Sequence, residues 1–347
     1  MSTAKPSVAT AEEGADRSVA DRAGADQAGA SRAAASRAAA SRAAASRAAA
    51  GRTELALIAT TVILYAGGWI AAEFALRTIA PLSLASFRFL IAGVVLVVVA
   101  RLTGRSLGLD RPRTVVALAF FGIAIGHAFF YWGLRLAPAT DGSILSTALA
   151  PAMMLALGVA VLHERISPRG VLGAMVGILG VLFVVVGPRE GGGDLVLLGD
   201  LLLALGAASI AIYTVLGRVA MTEGSAIGVA GSSTLLAGLM MLPFALLTEP
   251  PFAPATWSIE TWLAFGYLTI PSAVFAASVY YTLVRRFGAV RATLVQYIVP
   301  VVVFGLSAWL FAEALTPLRV AGALLALVGT RLMLTDQRTG IPPPAEA

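Results

Sequence analysis

Residues 127–180, HAFFYWGLRLAPATDGSILSTALAPAMMLALGVAVLHERISPRGVLGAMVGILG, have a counterpart 149 positions later in residues 276–329, AASVYYTLVRRFGAVRATLVQYIVPVVVFGLSAWLFAEALTPLRVAGALLALVG. Aligned without a gap, the two segments agree at 12 of 54 positions. The matches include Tyr131/Tyr280, Pro151/Pro300, Glu164/Glu313, Pro168/Pro317, Gly173/Gly322 and Gly180/Gly329. These residues punctuate secondary structure, and biased composition alone does not put them in one order twice. The chain is therefore read as two homologous halves.

Around this repeat the sequence is a series of apolar runs of roughly 18–25 residues, the length that crosses about 30 Å of hydrocarbon. Spans are expected near 55–76, 81–100, 114–136, 143–162 and 170–187 in the first half. In the second they fall near 195–217, 226–247, 261–284, 289–311 and 317–335. Ser167-Pro168 and Thr316-Pro317 each read as an N-cap followed by proline at the first helical position. Five spans is an odd number, so the second half must insert upside down relative to the first. The fold class expected is an all-α membrane protein with ten transmembrane helices, arranged as two inverted five-helix repeats. Inverted repeats place a substrate site near the midplane at their interface and allow alternating access.

Bulk composition agrees. The chain is 58% hydrophobic and 13% charged, against about 25% charged in a soluble domain. It has no cysteine, which excludes disulfide frameworks, thiolate metal sites and cysteine nucleophiles. The net charge of +6 belongs to membrane topology, because there is no soluble domain to present a basic face to nucleic acid. With a cytoplasmic N-terminus, the short inner loops carry ten arginines: Arg101, Arg105, Arg111, Arg113, Arg165, Arg169, Arg218, Arg285, Arg286 and Arg291. The outer loops carry four, Arg77, Arg135, Arg189 and Arg319. By the positive-inside rule both termini face the cytoplasm and the chain sits in the cell's inner membrane. Residues 1–53 form a basic low-complexity tail in which Ser-Arg-Ala-Ala-Ala repeats from Ser31. A five-residue period spreads its arginines around a helix and builds no apolar face. The organisation expected is this tail, a first half over 54–190, a second over 191–335 and a cytoplasmic tail over 336–347.

Several stretches, in order, resemble the EamA-type, ten-helix branch of the drug/metabolite transporter superfamily. They are Trp69 in the first span, PLSLASFRFL from Pro81 to Leu90, Tyr131-Trp132-Gly133-Leu134 leading to Ala137-Pro138-Ala139, and Ala150-Pro151 through His163-Glu164-Arg165. Gly199-Asp200 and Pro300 through Glu313-Ala314-Leu315 continue the resemblance in the second half. Two positions depart from the pattern: Ile70 where glycine is frequent, and Glu73 where an apolar residue is usual. The resemblance implies a carrier of amino acids, nucleotide-like compounds, sugars or drugs.

Ionisable groups inside hydrocarbon are expensive and point to function. Arg88 lies seven residues past Pro81, about 10 Å deep at 1.5 Å per residue. It is read as a receptor for a substrate carboxylate, a partner of Glu73, or a side chain snorkelling to the interface. Glu73 and His127 are the candidate proton carriers, since histidine titrates near physiological pH. A histidine satisfied by one neighbour is the plainer reading of His127. Trp69, Tyr131, Ser146, Tyr213, Tyr280, Gln296 and Tyr297, with Ser143, Tyr267 and Ser272, can line a cavity and bind both polar and apolar parts of a substrate. Glu164 and Glu313 are read as turn architecture, Asp141 as an interface marker, and Trp257 and Trp262 as interfacial anchors. Gly173, Gly177, Gly180, Gly322 and Gly329 read as close helix packing.

The function expected is export of small metabolites, amino acids or drug-like compounds, by alternating access with possible proton coupling. The partners are a small-molecule substrate and the bilayer, and no cofactor is expected. A flippase for lipid-linked substrates is the nearest alternative. A membrane-embedded enzyme is the more distant one, because only His127, His163 and scattered serines could serve it.

Overall fold

The computed structural model describes residues 51–107, 109, 112–162, 167–187, 193–220, 226–276, 279–280, 282–283, 294–313 and 316–336. Glu164, most of both tails and the arginines at 111, 165, 189, 285, 286, 291 and 338 lie outside them. The described residues are helical, with no strand among them. The helices are α1 (Gly51–Leu76), α2 (Pro81–Leu102), α3 (Pro112–Leu136), α4 (Ala139–Leu162) and α5 (Pro168–Val186). They continue as α6 (Gly193–Ala220), α7 (Ala226–Thr248), α8 (Ile259–Thr269), α9 (Leu294–Phe311) and α10 (Pro317–Asp336). Seven of the described helices, α1 to α7, are long and apolar enough to cross a membrane, and a shorter apolar stretch covers Tyr297–Phe311.

Local chemistry sets the helix ends. The Ser167 hydroxyl accepts from the amides of Arg169 and Gly170 at 3.2 and 3.3 Å, and Pro168 occupies a position where a missing N–H costs little. Thr316 caps α10 in the same way, accepting from the Arg319 amide at 3.4 Å. Two helices are irregular. In α3 the backbone widens to a π-helical turn over Leu118–Ala124. The expected span from 261 to 284 is not a continuous rod. α8 stops at Thr269, and a π-type turn follows over Pro271–Phe275, in which Val274 and Phe275 both donate to the Ile270 carbonyl. Proline has no N–H to give, and this break shows where the ladder yields.

Helices pack in pairs across the chain. α5 lies on α10 and α2 on α7, while α6 packs against both α3 and α4. α8 meets α1, where the Tyr267 hydroxyl donates to the Ile63 carbonyl at 2.8 Å. The α5–α10 contact is made through glycine. A Cβ on Gly180 would lie 2.4 Å from the Ala326 amide and 2.6 Å from the Gly322 carbonyl, and one on Gly173 would lie 2.8 Å from the Gly329 carbonyl. The backbones touch, as the glycine stripe in the sequence predicted.

Candidate functional site

Arg88 sits two turns into α2 and is the centre of an aromatic cluster. Its Nη1 donates to the hydroxyl of Tyr131 on α3. The guanidinium carbon lies 4.9 Å from the Phe89 ring centroid and 5.8 Å from that of Tyr131, a cation–π arrangement. The buried Nε has no hydrogen-bond partner among the described residues. His127 stands edge-on to Phe89 at 4.6 Å, and its Nδ1 is 3.0 Å from the Ile123 carbonyl. That contact makes Nδ1 the donor in a neutral ring and leaves Nε2 as an acceptor. Phe130 lies 6.0 Å from His127 and packs on Trp69 at 4.9 Å. The Trp69 ring fits because Gly142 opposite has no side chain: a Cβ there would come within 2.7 Å of it. Tyr131 is fully buried, whereas Trp69, Arg88, His127 and Phe130 keep part of their surface accessible.

Four of the candidates read from sequence therefore converge: Trp69, Arg88, His127 and Tyr131. Tyr280 packs on Tyr65 at 6.3 Å. Tyr213 covers Gly122, at the π-helical turn of α3. Ser146 on α4 and Tyr297 on α9 are half-buried. The Gln296 side chain lies outside the described residues.

Glu73 does not pair with Arg88. It accepts from the Ala139 amide at 3.1 Å and faces a cavity of about 540 Å³ that it lines together with Leu76, Arg77, Arg135, Pro138, Phe311 and Glu313. This cavity lies where α1, α3 and α9 end and α4 begins. The Arg88 partner expected from depth along the helices is instead Tyr131.

Three further sequence readings change here. Glu313 is more than turn architecture, since it lines the cavity and accepts from the Thr140 hydroxyl. Burial, reinforced by nearby Asp141, pushes its carboxyl above the ordinary range, while Thr140, Arg319 and Ser307 act against that shift. Asp141 is no interface marker. It is 0% exposed and forms an ion pair with Arg319, itself 5% exposed. Of the two tryptophans read as anchors, Trp257 instead packs on Phe252 and Phe265 at 4.8 and 5.3 Å, while Trp262 is well exposed.

Glu249 was missed altogether. Its two carboxylate oxygens accept from the amides of Leu82 and Ser83 at 2.8 and 2.7 Å, capping α2 where Ala80 has no side chain to do so. A usable signal did exist for Asp141 and Arg319. At the 149-residue offset their counterparts are Val290 and Gly170, so both charges break the repeat. Among the described residues no three His, Asp or Glu side chains are grouped to hold a metal ion.

Comparison with known proteins gives a consistent answer. The EamA-like transporter family model matches residues 52–186 and again 197–335. An uncharacterized transporter of Archaeoglobus fulgidus is 28% identical, over 81% of this chain and 97% of its own length. A probable amino-acid metabolite efflux pump of Salmonella typhimurium is 25% identical, over 79% and 92%. The uncharacterized inner membrane transporter YedA of Escherichia coli is 26% identical, over 68% and 76%. One solved crystal structure matches with a TM-score of 0.59 at 23% identity, covering 84% of this chain and 99% of that one. That likeness concerns the fold.

Proposed function

Because this chain belongs to the EamA-like transporter family and is a multi-pass membrane protein, we propose that it exports small carboxylate-bearing metabolites by alternating access. Amino acids and drug-like acids are the substrate class. Arg88 receives the carboxylate, and Trp69, Phe89, Phe130 and Tyr131 cover the apolar remainder. The reading rests on Arg88, whose Nη1 donates to Tyr131, whose buried Nε has no hydrogen-bond partner and which has no acidic partner among the described residues. A buried cation is costly unless paired, and a substrate anion is the partner that can come and go.

The mechanism follows from ten spans built as inverted halves, 54–190 and 191–335, with both termini in the cytoplasm. The helix pairing supports this reading. Gly173 meets Gly329 and Gly180 meets Gly322, although in the repeat Gly173 corresponds to Gly322 and Gly180 to Gly329. Such crossed contacts are what a two-fold axis between antiparallel α5 and α10 produces. For proton coupling, Glu73 at the cavity is the better carrier. His127 donates its Nδ1 proton to a backbone carbonyl and rests on a phenyl ring.

The test is counterflow in proteoliposomes with labelled phenylalanine and leucine, each compared with its methyl ester. The acids exchange and the esters do not. Arg88→Ala lowers acid affinity roughly 10- to 150-fold, the worth of a charge-assisted hydrogen bond, and leaves a folded, inserted protein. Equal transport of acid and ester, or an unchanged Arg88→Ala, refutes the assignment.

A further inference from the structure

Two of the polar contacts between the proposed halves lie beside the cavity that Glu313 lines. Asp141, in the first turn of α4, is ion-paired with Arg319, in the first turn of α10. One residue earlier, Thr140 donates to Glu313 in the turn between α9 and α10. The Asp141–Arg319 pair is almost wholly withdrawn from solvent, at 0% and 5% exposure. Burial removes water from both charges, and an apolar pair of similar volume often stabilises as well or better. Stability alone is thus a poor reason for this pair. Separation is different. Two charges drawn apart into a flooding interface recover their hydration, whereas an apolar pair loses its burial and gains nothing. An ion pair therefore suits a contact that must register one closed state and still open.

The repeat sharpens this. The counterparts of Asp141 and Arg319 are Val290 and Gly170, neither of which carries a charge, so the ion pair has no equivalent in the repeat. Trp69, one helical turn from the cavity-lining Glu73, packs on Phe130 of the Arg88 cluster and against Gly142, the neighbour of Asp141.

We propose that Asp141 and Arg319, supported by Thr140 and Glu313, form a latch between the halves that closes the Arg88 cluster to the cavity side and opens once in each transport cycle. The proposal rests on the alternating-access reading above and goes beyond it in naming the contact that biases the two states.

The chain has no cysteine, so a single introduced one reports cleanly. Ser146→Cys lies five residues past Asp141, about 7.5 Å deeper along α4, and Leu136→Cys, at the cavity lining, marks the cavity side. An impermeant maleimide is applied to right-side-out and inverted vesicles without substrate. With the latch intact, Leu136→Cys labels quickly from one side and Ser146→Cys slowly from that same side. Asp141→Asn or Arg319→Gln raises the Ser146→Cys rate roughly fivefold or more, at the lower edge of typical coupling between two states. The exchanged pair, Asp141→Arg with Arg319→Asp, restores the slow rate. An unchanged rate in either single variant overturns the proposal.

If the single variants do not fold, the double replacement Asp141→Leu with Arg319→Leu decides. A folded protein that labels more slowly than the parent and no longer transports supports a latch. One that behaves as the parent, or that also fails to fold, assigns the pair to structure and overturns the latch. Labelling needs no substrate, so a shifted rate alongside normal transport in Arg88→Ala would remove the substrate assignment and leave the latch standing.

Discussion

Removing the carboxylate of Glu249 should unseat the start of α2. Pro81 has no N–H, so Leu82 and Ser83 supply the first amides of this helix, and both donate to Glu249. Ser83 is only 3% exposed, so its amide has little access to water once the acceptor is gone. An N-cap is worth about 1 kcal/mol, and hydrogen bonds to a charged group about 1.5–3 kcal/mol. Attraction between a carboxylate and the positive end of the helix dipole adds about 0.3–1 kcal/mol. These overlap, and about 2–3 kcal/mol is a reasonable total for Glu249→Ala. At roughly 2–4 °C per kcal/mol, the apparent Tm should fall by about 4–12 °C in scanning fluorimetry of the detergent-purified protein. Glu249→Gln keeps one carbonyl acceptor but loses the charge and one bond, so it should fall between Ala and wild type. The order Glu above Gln above Ala is the signature. A Glu249→Ala protein as stable as wild type, or Gln equal to wild type, refutes the cap. Since α2 also carries Arg88, the same variants should raise KM before they lower kcat.

Three other outcomes follow. Gly180→Ala places a methyl against the Ala326 backbone at 2.4 Å; overpacking of this kind costs about 1–3 kcal/mol, read as lower yield and Tm, while Gly266→Ala, with open space around it, should be neutral or better in yield. Glu313 is held above the ordinary carboxylate value of about 4.3 by burial. The folded chain therefore binds this proton more tightly than the unfolded one, and stability falls as pH rises from the unfolded towards the folded value. Glu313→Gln should flatten that part of the pH profile of Tm and raise Tm at neutral pH, and an unaltered slope would exclude burial as the cause. Reporter tags at residue 30 and at the C-terminus should both be active only in the cytoplasm, given ten inner against four outer loop arginines; a periplasmic signal from either end would break the ten-span arrangement.

Seven of the expected spans, α1 to α7, were legible because hydropathy and length are local properties. Ser167-Pro168 and Thr316-Pro317 specified two helix starts almost to the residue, and the glycines of α5 and α10 announced a close contact before its partner was known. Contacts that depend on direction around a helix were not legible. Glu73 and Arg88 lie at compatible depths, yet sequence gives depth without azimuth, and each found another neighbour. Asp141–Arg319 spans 178 residues and Glu249–Leu82 spans 167, so neither leaves a local pattern, and only the first interrupts the repeat. Pro271 ends α8, while Pro151, Pro243 and Pro300 sit inside continuous helices. Whether a lost backbone bond breaks a helix is decided by the side chains around it.

The crossed glycine contact of α5 with α10 also bears on how such a chain could arise. On the inverted repeat proposed above, a five-helix half expressed alone would leave the α5 glycines without the α10 backbone that covers them. Its best complement would be a second copy inserted in the opposite direction, stripe against stripe. An ancestral half with weakly biased loop charges, able to enter the membrane either way, would have met that need by dimerising with itself. On the proposed inverted repeat, fusion would fix one copy of each orientation, and Arg319, which stands opposite Gly170 in the repeat, is a change open only to copies free to diverge.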